Sequence, residues 1–123
     1  MPQSRRLPKA VRLSEAATFI ELLSGRRKAV GCLELASRKT ALAGQTVPRL
    51  GIVAGRKNLP NAVGRNTLKR VIREAFRQVQ HELPPRDMLF RLRARIAGVP
   101  RNEIKLQVRE AVGSLLEHAK RGA

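Results

Sequence analysis

The chain has no Trp and no Tyr, and only three Phe among its 123 residues, so it lacks the aromatic platforms on which single-strand binders usually stack bases. Cys32 is the only cysteine, which rules out an internal disulfide. With only His81 and His118 to join it, a zinc site is implausible as well. Bland packing accounts for Cys32 best, as a small apolar residue buried in a strand. Asp87 is the single aspartate, and the glutamates are scattered through helical segments next to basic neighbours. Acid/base or metal-assisted catalysis needs convergent carboxylates or histidines, and no such constellation is visible. The segment HELPP at 81–85 begins like a metalloprotease helix but has no second His and is broken by proline, so His81 and Glu82 read as helix-end residues. No Gly-Lys-Ser/Thr follows Gly51 or Gly55, so no phosphate loop is indicated. No apolar run approaches the ~18 residues of a membrane span. The opening residues MPQSRRLPKAVR contain no apolar core of a secretory signal, which predicts a cytoplasmic protein.

Positive charge is what the chain has in excess. There are 26 Lys and Arg against 9 Asp and Glu, a formal charge of +17. Such an excess repels itself unless a polyanion compensates it, which makes nucleic acid the leading partner and an anionic membrane surface the weaker one. The length suits one domain with a single core.

The cations are concentrated in one segment. Wound as a helix, residues 65–80 place Leu68, Val71, Ile72, Ala75, Phe76 and Val79 on one stripe with unbroken helical spacing. Arg65, Lys69, Arg70, Arg73 and Arg77 fall on the other side, where Glu74 is the only nearby acid. A solvated surface is the ordinary explanation of a charged helix face, but the whole-chain excess favours phosphate contact. The preceding GRKNLPNAVG reads as a loop and not as the first helix of a helix-turn-helix, which favours RNA over DNA.

Around this helix the pattern is α+β. Residues 1–12 read as a basic arm, 13–119 as the folded domain and 120–123 as a short tail. Ser14 and Glu15 open a short helix carrying Phe19 and ending at Ser24-Gly25. Strands are expected at 28–37 and 46–54, joined as neighbours by a loop near Ala43-Gly44. A third, at 87–95, alternates Phe90, Leu92 and Ala94 with an outward row of Arg91, Arg93 and Arg95. Pro100 precedes a last helix carrying Ile104, Val108, Ala111, Val112, Leu115 and Leu116. The order is helix, two or three strands, helix, strand, helix, with a β-α-β unit that adds parallel strands to an otherwise antiparallel sheet.

The run Asn61, Ala62, Val63, Arg65, Asn66, Lys69, Arg70, Arg73, Glu74, Phe76, Arg77 resembles, at matching spacing, the signature of the bacterial ribonuclease P protein subunit, N-A-V-x-R-N-R-x-K-R-x-x-R-E-x-F. Arg12-Leu13, Phe19 and Asp87 extend the resemblance over residues 12–118. It implies a single α-β-β-β-α-β-α domain with a four-stranded sheet and a left-handed crossover, where general rules favour a right-handed one. It also implies a protein that assists endonucleolytic removal of the 5′ leader of precursor tRNA, the active site and its Mg²⁺ ions lying in the ribonuclease P RNA. By position, Arg65, Asn66, Lys69, Arg70 and Arg73 would lie beside that RNA, flanked by Arg77, Arg56 and Lys57. Phe19 and Arg93 would line the leader cleft. Thr67 occupies the third position of the Arg-Asn-Arg signature, at the edge of the basic arc on a helical wheel, and Leu23 stands where a second Phe is common. Leader binding is then expected to use charge and shape more than stacking. A small structural RNA-binding protein, such as a ribosomal protein, is the alternative that shares the charge and size but not the signature run.

Overall fold

The computed structural model describes residues 26–39 and 46–121. The basic arm, the expected helix with Phe19, the loop near Ala43-Gly44 and the last two residues lie outside them.

The apolar segment that reads as one strand at 28–37 is two. β1 (Arg26–Val30) and β2 (Leu33–Lys39) form an antiparallel hairpin, with Val30 opposite Leu33. The connection is Gly31-Cys32, and Gly31 has φ +57°. Glycine at the first central position of a two-residue loop is the requirement of a type II′ turn, whose twist suits a hairpin. Cys32 is therefore buried in a turn and not in a strand.

β3 (Arg49–Val53) is not the neighbour of β2. β4 (Arg86–Leu92) lies between them, parallel to β3 and antiparallel to β2, in the sheet order β1-β2-β4-β3. The β-α-β expectation holds, with β3 and β4 parallel. β2 joins the free edge of β4 and not that of β3. β4 also ends three residues before Arg95. Past Leu92 the chain is taken over by Asn58, whose side-chain amide donates to the Leu92 carbonyl at 3.1 Å while its own carbonyl accepts from the Ile96 amide at 2.9 Å.

Two helices cover one face of the sheet. α1 (Ala62–Val79) starts at Asn61, whose Oδ1 accepts from the Val63 amide at 2.8 Å, a side-chain cap for an otherwise orphaned donor. A short 3₁₀ turn, Gln80–Glu82, carries His81 and Glu82 at the helix end, ahead of the two prolines. α2 (Arg101–Lys120) buries all six expected apolar residues together with Ala119. Their common core joins Leu68, Ile72 and Phe76 of α1 to Leu33, Leu35, Leu50, Met88, Phe90 and Leu92 of the sheet.

The opposite face of the sheet also holds buried residues, namely Ala36, Leu89 and Asp87. Asp87 is paired across the parallel register with Arg49, and both its oxygens accept from that guanidinium at 2.7 Å. A bidentate pair of this kind satisfies the carboxylate in a place where an unpaired charge would be costly.

Candidate nucleic-acid interface

α1 divides as its spacing requires. Leu68, Val71, Ile72 and Phe76 are buried, Ala75 and Val79 half-buried, and the buried stripe extends back to Gly64 and Thr67. Asn66, Arg70 and Arg73 are exposed, and Lys69 and Arg77 are half-exposed. Lys69, Arg70 and Arg73 enter no ion pair among the described residues, although Glu74 stands on the same helix. A surface cation without a carboxylate partner keeps its charge available to an incoming anion.

Arg65 differs from its neighbours. Its Nη1 donates to the carbonyls of Leu59 at 2.9 Å and Pro60 at 2.7 Å, so the guanidinium is folded back to tie the entering loop to the first turn of α1. Arg56 and Lys57 are exposed in that same loop, which is closed by the amides of Asn58 and Leu59 donating to the Gly55 carbonyl. The structure thus brings Arg56 and Lys57 to the end of the sheet where α1 begins.

The row of guanidinium groups expected along β4 does not form, because the strand stops at Leu92. Of Arg91, Arg93 and Arg95 only Arg91 is on the strand, and its Nη2 lies 3.3 Å from Glu34 Oε1 on β2. Arg93 is exposed just beyond the strand, with Nε donating to the Gly31 carbonyl at the hairpin tip at 3.3 Å. Arg95 donates to the Lys57 carbonyl. Burial pushes the Cys32 thiol above its ordinary range, an effect that its backbone hydrogen bond and the nearby Arg93 charge reduce.

Thr67 is not at the edge of an open basic arc. It is only 4 % exposed, its hydroxyl donates to the Val63 carbonyl at 2.8 Å, and it accepts from Arg101 Nε at 3.2 Å. Arg101, the first residue of α2, escaped sequence reasoning because nothing in the helix period signals a contact across two helices. Only its position directly after Pro100 marked it as a helix start.

Among the described residues no three His, Cys, Asp or Glu side chains lie close enough together to hold a metal ion. No described helix is long and apolar enough to cross a membrane.

Fold and site together define a small α+β protein in which one helix buries an apolar stripe against a four-stranded sheet and keeps a row of unpaired cations at the surface. Residues 7–116 match the Ribonuclease P family. The ribonuclease P protein component of Bordetella petrii is 38% identical over 115 residues, covering 91% of this chain and 93% of that protein. That of Bordetella avium is 35% identical over 103 residues, covering 84% and 86%. Among solved structures, the Staphylococcus aureus RNase P protein superposes with a TM-score of 0.76 at 26% identity, covering 91% of this chain and 97% of that one. The Thermotoga maritima RNase P protein gives 0.67 at 29% identity, covering 89% and 96%. The chain belongs to the ribonuclease P protein component family, the protein side of a ribonucleoprotein nuclease of tRNA processing.

Proposed function

We propose that this chain binds the ribonuclease P RNA through the exposed side of α1 and holds the 5′ leader of precursor tRNA, assisting endonucleolytic removal of the leader in the cytoplasm. The observation that carries the reading is the set of unpaired cations at Lys69, Arg70 and Arg73 on a helix anchored by Phe76 and Ile72. They are fixed in direction by a buried stripe, so they meet the RNA as a rigid row of charge. Arg56 and Lys57 extend the row at the N-terminal end, Asn66 adds a neutral amide, and Arg77 continues it toward the C-terminal end. Arg65 contributes mainly by holding the loop that presents Arg56 and Lys57.

Neutralising phosphates where RNA strands converge lowers the bulk Mg²⁺ needed for assembly, because each cation replaces condensed counterions. In this reading the Mg²⁺ ions and the reacting groups belong to the RNA, and the protein supplies charge and position. Leader binding falls to Phe19 and to Arg93, whose guanidinium is steadied by the hairpin tip.

The test is cleavage of a precursor tRNA at low Mg²⁺ by the ribonuclease P RNA of the same organism, with and without the protein, across a series of leader lengths. Stimulation that grows with leader length is expected. RNA binding without stimulation would overturn the subunit role and leave only a structural RNA-binding protein.

A further inference from the structure

A cavity of about 360 Å³ opens between the start of α1, the loop before α2 and the start of α2. Its lining is mostly apolar, with Leu59, Val63, Gly64, Val99 and Ile104 among the wall residues and Asn61 and Arg101 as the polar ones. We propose that this cavity receives one unstacked nucleotide of the RNA bound by α1, the base entering the apolar pocket and its phosphate meeting Arg101. The inference rests on the RNA-binding reading and adds a recognition site to it.

Four observations support this occupant. Val63 is 56 % exposed although it sits in the first turn of α1, so the apolar wall is open to solvent directly before the cationic row begins. The wall is also built at close tolerance, since a Cβ on Gly64 would meet Leu59 Cδ1 at 3.1 Å. Arg101 is preorganised, because its Nε is held by Thr67 Oγ1, which is itself tied to the Val63 carbonyl. Holding Nε in this way leaves the rest of the guanidinium for a ligand and reduces the entropy lost on binding. Finally, Arg101 enters no ion pair among the described residues, and the acid in the first turn of α2, Glu103, is exposed.

The chemistry of the pocket fits a nucleotide better than a peptide or a free anion. A cavity of this size lies at the lower end of the ~300–1,000 Å³ range of ligand sites. Sequence-specific RNA recognition targets bases splayed out of their helix, which elsewhere stack on aromatic rings or guanidinium planes; in this pocket aliphatic side chains take the place of the rings. The pocket has an apolar wall and a single oriented cation, next to a surface that follows phosphates. In a chain without Trp or Tyr, it provides a base-sized apolar surface that does not depend on aromatic rings.

The experiment uses the full chain, saturating the ribonuclease P RNA of the same organism. Base reactivity toward dimethyl sulfate and carbodiimide is read together with a hydroxyl-radical footprint of the backbone. Val63→Trp blocks the mouth, and Arg101→Gln removes the charge while keeping a polar side chain. Wild type is expected to protect the base edge of one unpaired nucleotide next to the backbone tract covered by α1. Both variants are expected to lose that base protection and keep the backbone tract. Should Val63→Trp unfold, as judged by circular dichroism, Arg101→Gln decides alone. Unchanged base protection in Arg101→Gln, or no protected base in wild type beside an intact backbone footprint, overturns the pocket assignment. The absence of any backbone footprint in wild type overturns the RNA-binding reading itself and the pocket with it.

Discussion

Replacing Lys69, Arg70 and Arg73 together by alanine removes three surface cations that have no carboxylate partner among the described residues. None belongs to the core, and alanine has the highest helix propensity, so α1 should persist in the variant. If each cation covers one phosphate, each substitution reduces the slope of log affinity against log salt by roughly 0.7 to 0.9, and the triple change reduces it by about 2 to 3. Between 50 and 200 mM salt a slope difference of that size is worth roughly 20- to 40-fold. The variant's defect in binding ribonuclease P RNA should therefore be large at low salt and shrink by that factor at high salt. Filter binding or fluorescence titration across the salt series measures it, with thermal unfolding of the free variant as the control for folding. A defect that stays constant across the series, in a variant that unfolds like wild type, would refute direct phosphate contact by this row.

Phe76 is fully buried, so Phe76→Ala should cost about 3 to 5 kcal/mol, read as a lowered denaturant midpoint. An unshifted midpoint would contradict its place in the core. Asp87→Ala breaks the bidentate pair with Arg49 on the buried side of the sheet and should cost about 3 to 5 kcal/mol, whereas the double change Arg49→Leu with Asp87→Leu should recover much of that loss. A double variant no better than the single one would mean that the pair contributes more than charge satisfaction. For Cys32 the folded thiol is held above its ordinary value by burial, so the native state keeps its proton when the unfolded chain has lost it. The associated stability is fully present below the ordinary thiol range near pH ~8.5 and falls as pH rises through the folded value. Denaturation midpoints of wild type and Cys32→Ala should accordingly converge with rising pH, and parallel curves would contradict the burial of the thiol.

The two described helices were the most legible part of the sequence, because a core stripe repeated over five turns leaves little choice of period. Every apolar residue assigned to α2 is buried, as are Leu68, Val71, Ile72 and Phe76 of α1. The sheet was harder to read. Ala29, Val30, Cys32, Leu33 and Leu35 form an almost continuous apolar segment, and the one glycine within it becomes a turn only because its φ is positive. Strand order was hidden for another reason, since which edge β2 joins is settled by contacts distant in sequence. At the candidate site, composition counted the cations but could not tell those facing solvent from those whose hydrogen bonds are used by the fold. Arg65 and Arg95 both serve loop carbonyls, a distinction carried by geometry alone. Thr67 shows the limit of the helical wheel, which places a residue on an arc without knowing that a second helix packs there.

The position of β4 between β2 and β3 has a consequence for how the protein is made. On a growing chain the β1–β2 hairpin can close by itself, but β2 and β3 have no partner edge in common until β4 has been synthesised. The strand that unites the sheet comes after the basic helix, so α1 leaves the ribosome before the surface it packs on is complete. Its apolar stripe and its cations are then exposed together. A nascent chain of this architecture presents its charged helix before it has a core, and a polyanion held on the cationic side would leave the apolar side free to find the sheet.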